Sequence, residues 1–261
     1  RLSILAKRYG LGSKILSDLY QYEKSGLVPS TKWKKNTLGK GWYLGETMIT
    51  GIGQGYIQST PLQLSLMIAQ LANGGYKIKP HIIIDEKIQY EKIRSKINAD
   101  LQRYELSLNP QQLIQMNIDI LKEQEIDLYR PMFQNPENIK FILDAMFAST
   151  NEPAGTSFSS RYENKKYQFA GKTGTSQVKR ITEAEREADL DFSQTEYKNR
   201  DHAMYVAFAP YKDPRYSISV LIEHGGSGSK VAAPLAKKFI KKIIDRHEFR
   251  ELKRIGSSNL A

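Results

Sequence analysis

The segment Phe169-Ala-Gly-Lys-Thr-Gly-Thr-Ser-Gln-Val178 decides how the rest of the chain is interpreted. Apolar and β-branched residues flank a small polar centre, which predicts an edge strand carrying one cation and two hydroxyls. Such a strand can present Lys172, the hydroxyls of Thr173 and Thr175, and free backbone N–H groups to a ligand. These groups suit a carboxylate and an oxygen atom on which negative charge develops. The segment therefore indicates a strand that binds an anionic ligand.

Two further segments predict strands on the C-terminal side of this one. Ala203–Ala209 and Tyr216–Ile222 are rich in β-forming residues, and the intervening Pro210-Tyr-Lys-Asp-Pro214 predicts a turn. A terminal helix is predicted by apolar residues that recur at helical spacing, namely Leu235, Phe239, Ile240, Ile243 and Ile244. This order predicts an α+β fold, an antiparallel sheet flanked by helices, with the terminal helix packed on one face.

The first half of the chain predicts mostly helices. Residues 1–9 read as helical, whereas residues 24–47 are rich in Gly, Pro, Trp and Lys and predict an irregular loop. Ser59 and Thr60 are N-cap candidates for a buried helix that begins at Pro61 and ends before Asn73-Gly-Gly75. Another helix is predicted from Asn135 through Ala148. We expect one domain fragment over residues 1–261, with an insertion near 86–130 where the chain is charged and Gln-rich.

Composition narrows the class of protein. The 261 residues contain ample apolar material for a core and no cysteine, which excludes disulfides, thiolate metal sites and cysteine nucleophiles. No apolar run approaches the roughly 20 residues of a membrane span. The segment Arg1–Arg8 returns to charge too soon for a secretory signal. We therefore expect either a cytoplasmic chain or a piece of a longer protein whose targeting segment lies upstream, and the start at Arg1 rather than Met favours the piece.

The formal net charge of +11 invites a nucleic-acid interpretation. The basic residues are spread along the chain, however, with local clusters at Lys32–Lys40 and Lys237–Lys242. No aromatic residues interleave with them as they do on a base-stacking surface. A solvated basic surface is therefore the better interpretation, and we expect no nucleic-acid partner.

Other motifs in the chain are explained more simply by chance. Gly171-Lys-Thr173 is not a phosphate-binding loop, because position 166 is a lysine instead of the required glycine. Two Ser-x-x-Lys matches occur, Ser176–Lys179 on a predicted strand and Ser227–Lys230 in a Gly-rich turn. Neither context predicts the helical turn that would bring the lysine to the serine as a base.

The histidines predict no metal site. None of them has a His or carboxylate partner at metal-ligand spacing; the four are His81, His202, His224 and His247. We expect no metal and no cofactor. His202 and His224 flank strands and are interpreted as structural.

An ordered set of short motifs carries a family resemblance. The set comprises Ser25-Gly-Leu-Val-Pro-Ser30, Trp33-Lys34, Gly45-Glu-Thr47, Gly51-Ile-Gly-Gln-Gly-Tyr56, Thr60-Pro-Leu-Gln63, Leu71-Ala-Asn-Gly-Gly75, Ala170–Gln177, Ala207-Phe-Ala-Pro210 and Ala232-Ala-Pro234. The chain resembles the penicillin-binding protein 2 family of class B peptidoglycan D,D-transpeptidases over nearly its whole length. The resemblance implies the C-terminal portion of a penicillin-binding, serine β-lactamase-like fold.

The resemblance also implies a reaction and its residues. A family serine attacks the penultimate D-Ala carbonyl of a peptidoglycan stem peptide, and an amine of a neighbouring strand then accepts the acyl group. β-Lactams mimic D-Ala-D-Ala and block the intact enzyme as a slow acyl-enzyme. Lys172 and Thr175 would be catalytic, and Thr173, Gly174 and Thr175 would bind the substrate. The backbone N–H of Thr175 would form half of the oxyanion hole.

The family's nucleophile and Ser-x-Asn motifs precede the stretch that matches Gly51–Gly55, and this chain begins after both. We therefore expect no nucleophile in the chain, and inactivity when it is alone. A membrane anchor is expected upstream, at the periplasmic face of the bacterial inner membrane, with the cell-wall elongation machinery as a partner. The alternative is a non-catalytic module that binds peptidoglycan or a protein partner.

Overall fold

A three-stranded antiparallel sheet in the order β1–β2–β3 forms the centre of the molecule. Strand β1 spans Ala170–Ser176, β2 spans His202–Ala209 and β3 spans Tyr216–Ile222. The register places Lys172 opposite Val206 and Ser176 opposite His202. The sheet confirms the predicted α+β class, and among the residues that the structure describes β1 pairs with β2 alone.

The computed structural model describes residues 1–16, 23–78, 80, 132–133, 135–178 and 196–258, with side chains described up to residue 250. The α-helices of this part of the chain are α1 (Leu2–Arg8), α2 (Thr31–Leu38), α3 (Leu44–Gly51), α4 (Pro61–Ala72), α5 (Pro136–Asn151) and α6 (Ala233–Ser258). A short π-helical turn, Gly228–Ala232, leads into α6. The insertion expected near 86–130 lies outside the described residues.

Helices cover both faces of the sheet because the side chains of each strand alternate between them. On one face, Phe208 and Ala170 pack with apolar residues of α4 and α5. On the other, alternate residues of β2 pack against α6; the buried members are Ala203, Tyr205, Ala207, Ala209, Ala236, Ile240 and Ile244. The small residues of β2 allow α6 to approach closely. The terminal helix therefore lies where the sequence predicts it.

The irregular loop predicted for residues 24–47 is wrong, because this stretch contains α2 and the start of α3. The Oγ of Ser30 accepts from the backbone N–H of Trp33 and caps α2. Gly39 ends the helix in the left-handed conformation, at φ +65°. Buried Lys34 then joins α2 to α3 through a 2.5 Å ion pair with Glu46. The sequence signals for the two ends of α2, Ser30 and Gly39, were overlooked because the segment is rich in Gly, Trp and Lys.

The helix predicted from Pro61 is confirmed as α4. Thr60 Oγ1 accepts from the backbone N–H of Gln63, and Gln63 Oε1 accepts from that of Thr60, so the two form a capping box. Gln63 is fully buried, and its Nε2 donates to the carbonyls of Ser13 and Ser25, at 2.6 and 2.8 Å. The capping residue Gln63 therefore also attaches the backbone at Ser13 and Ser25 to the start of α4. No helix in the described ranges is both long and apolar enough to cross a membrane.

Candidate functional site

The outer edge of β1 is open to a ligand. Gly171 directs both its N–H and its carbonyl away from β2, since both bond to Thr150 Oγ1, at 3.0 and 3.4 Å. Backbone direction in a strand repeats every second residue, so the N–H and carbonyl groups of Thr173 and Thr175 also point outward. This edge faces a cavity of about 1440 Å³ whose walls include residues of α1, α3, α4 and β2.

A buried network of hydroxyls supports β1 from below. The hydroxyl of Tyr205 lies 2.9 Å from Thr150 Oγ1 and 3.0 Å from Ser157 Oγ, and the relative exposure of all three residues is 0%. Burial raises the pKa of Tyr205, so the phenol stays neutral. Because Thr150 also bonds to Gly171, the network holds the residue that precedes Lys172. A Cβ at Gly171 would collide with the Tyr205 ring.

The Lys172 ammonium lies beside the strand edge. Its Nζ donates to the carbonyl of Thr173 at 2.9 Å and to Thr173 Oγ1 at 3.2 Å. Thr173 Oγ1 also lies 3.3 Å from Thr156 Oγ1, which contacts Ser149 Oγ at 3.2 Å. Cation and hydroxyls are thus adjacent and exposed, the arrangement that recognises a carboxylate. The four predicted site residues Lys172, Thr173, Gly174 and Thr175 all line one wall of the cavity.

Gln54, which lies just after the end of α3, reaches the same edge. Its Nε2 donates to the carbonyl of Thr175 at 3.0 Å, across 121 positions of sequence. No role for Gln54 is predicted from the sequence, because a contact between distant segments leaves no local pattern. Thr150 and Tyr205 were missed for the same reason.

His202 lies at the start of β2, opposite Ser176, and lines the cavity. Its Nδ1 accepts from the backbone N–H of His224 at 2.9 Å, so in the neutral ring the proton is on Nε2. His224 has φ +54° and its Nδ1 lies 3.0 Å from the carbonyl of Arg200. The pair fixes the corner where β2 begins, which fits a structural role for both histidines.

Ser227 has a structural use. Its Oγ accepts from the backbone N–H of Lys230 and so caps the π-helical turn. The other Ser-x-x-Lys match begins with Ser176 on β1, and Lys179 lies outside the described residues. The carboxylates and histidines of the described ranges form no group of three or more that could hold a metal ion.

Comparison with known families places the site in context. Residues 1–241 match the family model for the penicillin binding protein transpeptidase domain. The chain is 31% identical over 245 residues to the peptidoglycan D,D-transpeptidase MrdA of Salmonella typhimurium. This alignment covers 94% of the chain and 34% of the Salmonella protein. MrdA of Escherichia coli K12 is 27% identical over the same length. The chain thus spans about a third of the curated relatives it matches.

Solved structures give the same result for the fold. Penicillin-binding protein 2 of Pseudomonas aeruginosa, solved in complex with WCK 5153, matches with a TM-score of 0.62 at 31% identity, over 91% of the chain and 42% of that protein. Penicillin-binding protein 2 of Helicobacter pylori, solved in complex with MreC, matches with a TM-score of 0.66 at 28% identity. That match covers 94% of the chain and 35% of the solved one.

Proposed function

This chain belongs to the penicillin-binding protein transpeptidase domain family, and we propose that it forms the substrate-carboxylate and oxyanion wall of a peptidoglycan D,D-transpeptidase. The open edge of β1 carries this proposal, since it presents an ammonium, two hydroxyls and outward N–H groups to one large cavity. An acyl-transfer site needs these groups beside an attacking nucleophile. Residues 1–261 would then belong to one transpeptidase domain.

Each residue of the wall has a proposed task. Lys172 supplies positive charge and a contact for the proton network, while Thr173 and Thr175 offer hydroxyls to the terminal carboxylate of a D-Ala-D-Ala peptide. The N–H of Thr175 donates to the oxygen of the tetrahedral intermediate. Gly174 leaves room beside the strand, since a Cβ there would lie 3.3 Å from the Cβ of Met204. The acyl-enzyme would pass its peptide to the amine of a second strand.

We place the attacking serine outside these 261 residues. Ser227 caps a turn, and Ser176 lies on an extended strand, where residues three apart face opposite sides. We also propose that the protein acts at the periplasmic face of the inner membrane with the elongation machinery, including an MreC-like partner. Support for that partner comes from the MreC complex of the Helicobacter pylori relative.

Fluorescent penicillin tests the function in the product of the full reading frame. We expect a covalent adduct that the substitution Lys172→Met reduces at least about tenfold, because the cation that binds the carboxylate is lost. Lys238→Met removes an exposed lysine of α6 and should leave labelling unchanged. Equal labelling of both variants would refute the role of Lys172.

The isolated 261-residue chain should form no adduct. An adduct on the isolated chain would refute our placement of the serine. If the full-length product stays unlabelled but is retained on peptidoglycan, the non-catalytic binding module would replace the enzyme.

A further inference from the structure

We propose that Gln54 is a positioning residue that holds the C-terminal end of β1 by its bond to the carbonyl of Thr175. This inference rests on the proposed function and adds a residue to it. Gln54 itself touches no reacting atom in the scheme above. It would act through the peptide groups on either side of Thr175.

The backbone of Gln54 is fixed by the way in which α3 ends. The N–H of Gln54 donates to the carbonyl of Ile49 at 3.0 Å, and the N–H of Gly53 donates to that of Thr50, also at 3.0 Å. These two bonds form a Schellman motif, in which the residue after the C-cap adopts the left-handed conformation. Gly53 occupies that position with φ +76°. The motif therefore aims the Gln54 side chain in one direction.

Helix α3 is itself anchored at its first turn. One Glu46 oxygen lies 2.5 Å from the buried Lys34 ammonium, and the other accepts from the backbone N–H of Tyr43 at 2.8 Å. The Lys34 ammonium also lies 4.4 Å from the centre of the Tyr43 ring. A buried cation paired with a carboxylate that also accepts a backbone hydrogen bond resists displacement, because removing either charged group leaves the other without compensation. Gln54 is thus held by a fixed helix.

The contact falls on the strand position where precision is needed. The carbonyl of Thr175 points outward from the sheet, so β2 does not hold it. Gln54 supplies the missing donor at 3.0 Å. The preceding peptide carries the Thr175 N–H assigned to the oxyanion, and rotation at Thr175 would move both groups. Without the Gln54 amide, the end of β1 would sample more orientations, and the barrier to acylation would rise.

The substitution Gln54→Glu tests this directly, because it keeps the size of the side chain and replaces the N–H donor by a second acceptor facing the carbonyl. Gln58→Glu is the matched control. It makes the same chemical change four positions away, on an exposed side chain.

In the full-length product, the maximal rate of acylation by a penicillin should fall about tenfold for Gln54→Glu. The concentration giving half of that rate and the thermal midpoint should stay as in Gln58→Glu. A maximal rate within about twofold of the control would overturn the proposal, and so would a thermal midpoint that falls in parallel with the rate.

A second readout does not depend on activity. Labelling Thr with ¹³C at the carbonyl and Ser with ¹⁵N selects the two Thr–Ser junctions of the sequence, Thr156–Ser157 and Thr175–Ser176. The Thr175 carbonyl signal should move in Gln54→Glu and stay fixed in Gln58→Glu, with Thr156 unmoved in both. An unmoved Thr175 signal would refute the contact. A wild-type protein that forms no adduct with penicillin would refute the proposed function instead. The Thr175 carbonyl signal would still decide whether the contact exists.

Discussion

Replacing Tyr205 by phenylalanine removes the centre of the hydroxyl network beneath β1. The phenol bonds to Thr150 at 2.9 Å and to Ser157 at 3.0 Å, so two buried hydrogen bonds are lost. Each is worth about 0.5–1.5 kcal/mol net. Thr150 keeps its bond to the N–H of Gly171, and Ser157 keeps its bond to the carbonyl of Ser149, so neither hydroxyl is left without a partner. We therefore expect a loss of about 2 kcal/mol in the free energy of unfolding.

Urea unfolding followed by circular dichroism measures this loss, with Tyr197→Phe as the control. Tyr197 is 63% exposed, and removing its hydroxyl should change stability by less than about 0.5 kcal/mol. A loss below that value for Tyr205→Phe as well would refute the reasoning, since the network would then contribute nothing beyond what water supplies.

A double substitution separates the hydroxyl from the ring. A Cβ at Gly171 would lie 2.6 Å from Cζ and 2.7 Å from Cε1 of Tyr205, as well as against its oxygen. Gly171→Ala should therefore cost about 1–3 kcal/mol through overpacking. Because the ring carbons remain in Tyr205→Phe, the double variant should stay at least as unstable as Gly171→Ala. If the double variant were instead nearly as stable as wild type, the Tyr205 hydroxyl alone would limit the space for a Cβ at position 171.

Three further predictions concern packing and charge elsewhere. Gly228→Ala should cost about 3 kcal/mol in urea unfolding, because its Cβ would lie 2.6 and 2.7 Å from backbone oxygens of β2 and β1, whereas Gly41→Ala meets nothing within 4 Å. Gln63→Leu should cost about 2–4 kcal/mol by the same assay, since two carbonyls lose their donor; an unchanged midpoint would refute this. The Lys34 ammonium and a backbone N–H hold the pKa of Glu46 below its usual 4.5. The ionised Glu46 carboxylate therefore stabilises the fold at pH values above its unfolded-state pKa, and this contribution is lost as the pH falls through the lower folded-state pKa. Between about pH 6 and about pH 3, Glu46→Gln should therefore lose less stability than wild type.

Local signals in the sequence predicted much of the sheet and its helices. Strands β2 and β3 are dense in β-forming residues, and α4 begins with a capping residue followed by Pro61, so their positions were confirmed within a residue. Helix α2 was missed although Ser30 and Gly39 bracket it, because its eight residues carry little apolar periodicity. Short helices depend on partners such as the Lys34–Glu46 pair, which a local pattern does not show.

In the candidate site, too, the sequence predicts the residues that form one local motif and misses those that folding brings together. The residues on β1 are adjacent in sequence, so one motif predicted all of them together. Thr150 lies on α5, Tyr205 on β2 and Gln54 just after α3, and only folding brings them to the strand. Their chemistry is also ordinary for surface or core residues, so composition gave no signal.

The hydroxyl network beneath β1 contains no group that ionises at moderate pH, because the hydroxyls of Thr150 and Ser157 do not titrate there and the pKa of Tyr205 is raised. Dissolved ions have little to screen among uncharged, buried partners. The strand should therefore keep one shape in dilute and concentrated media and in mildly acidic or alkaline surroundings. At the proposed periplasmic location, such a wall would keep its geometry when the acidity or the salt content of that compartment changes.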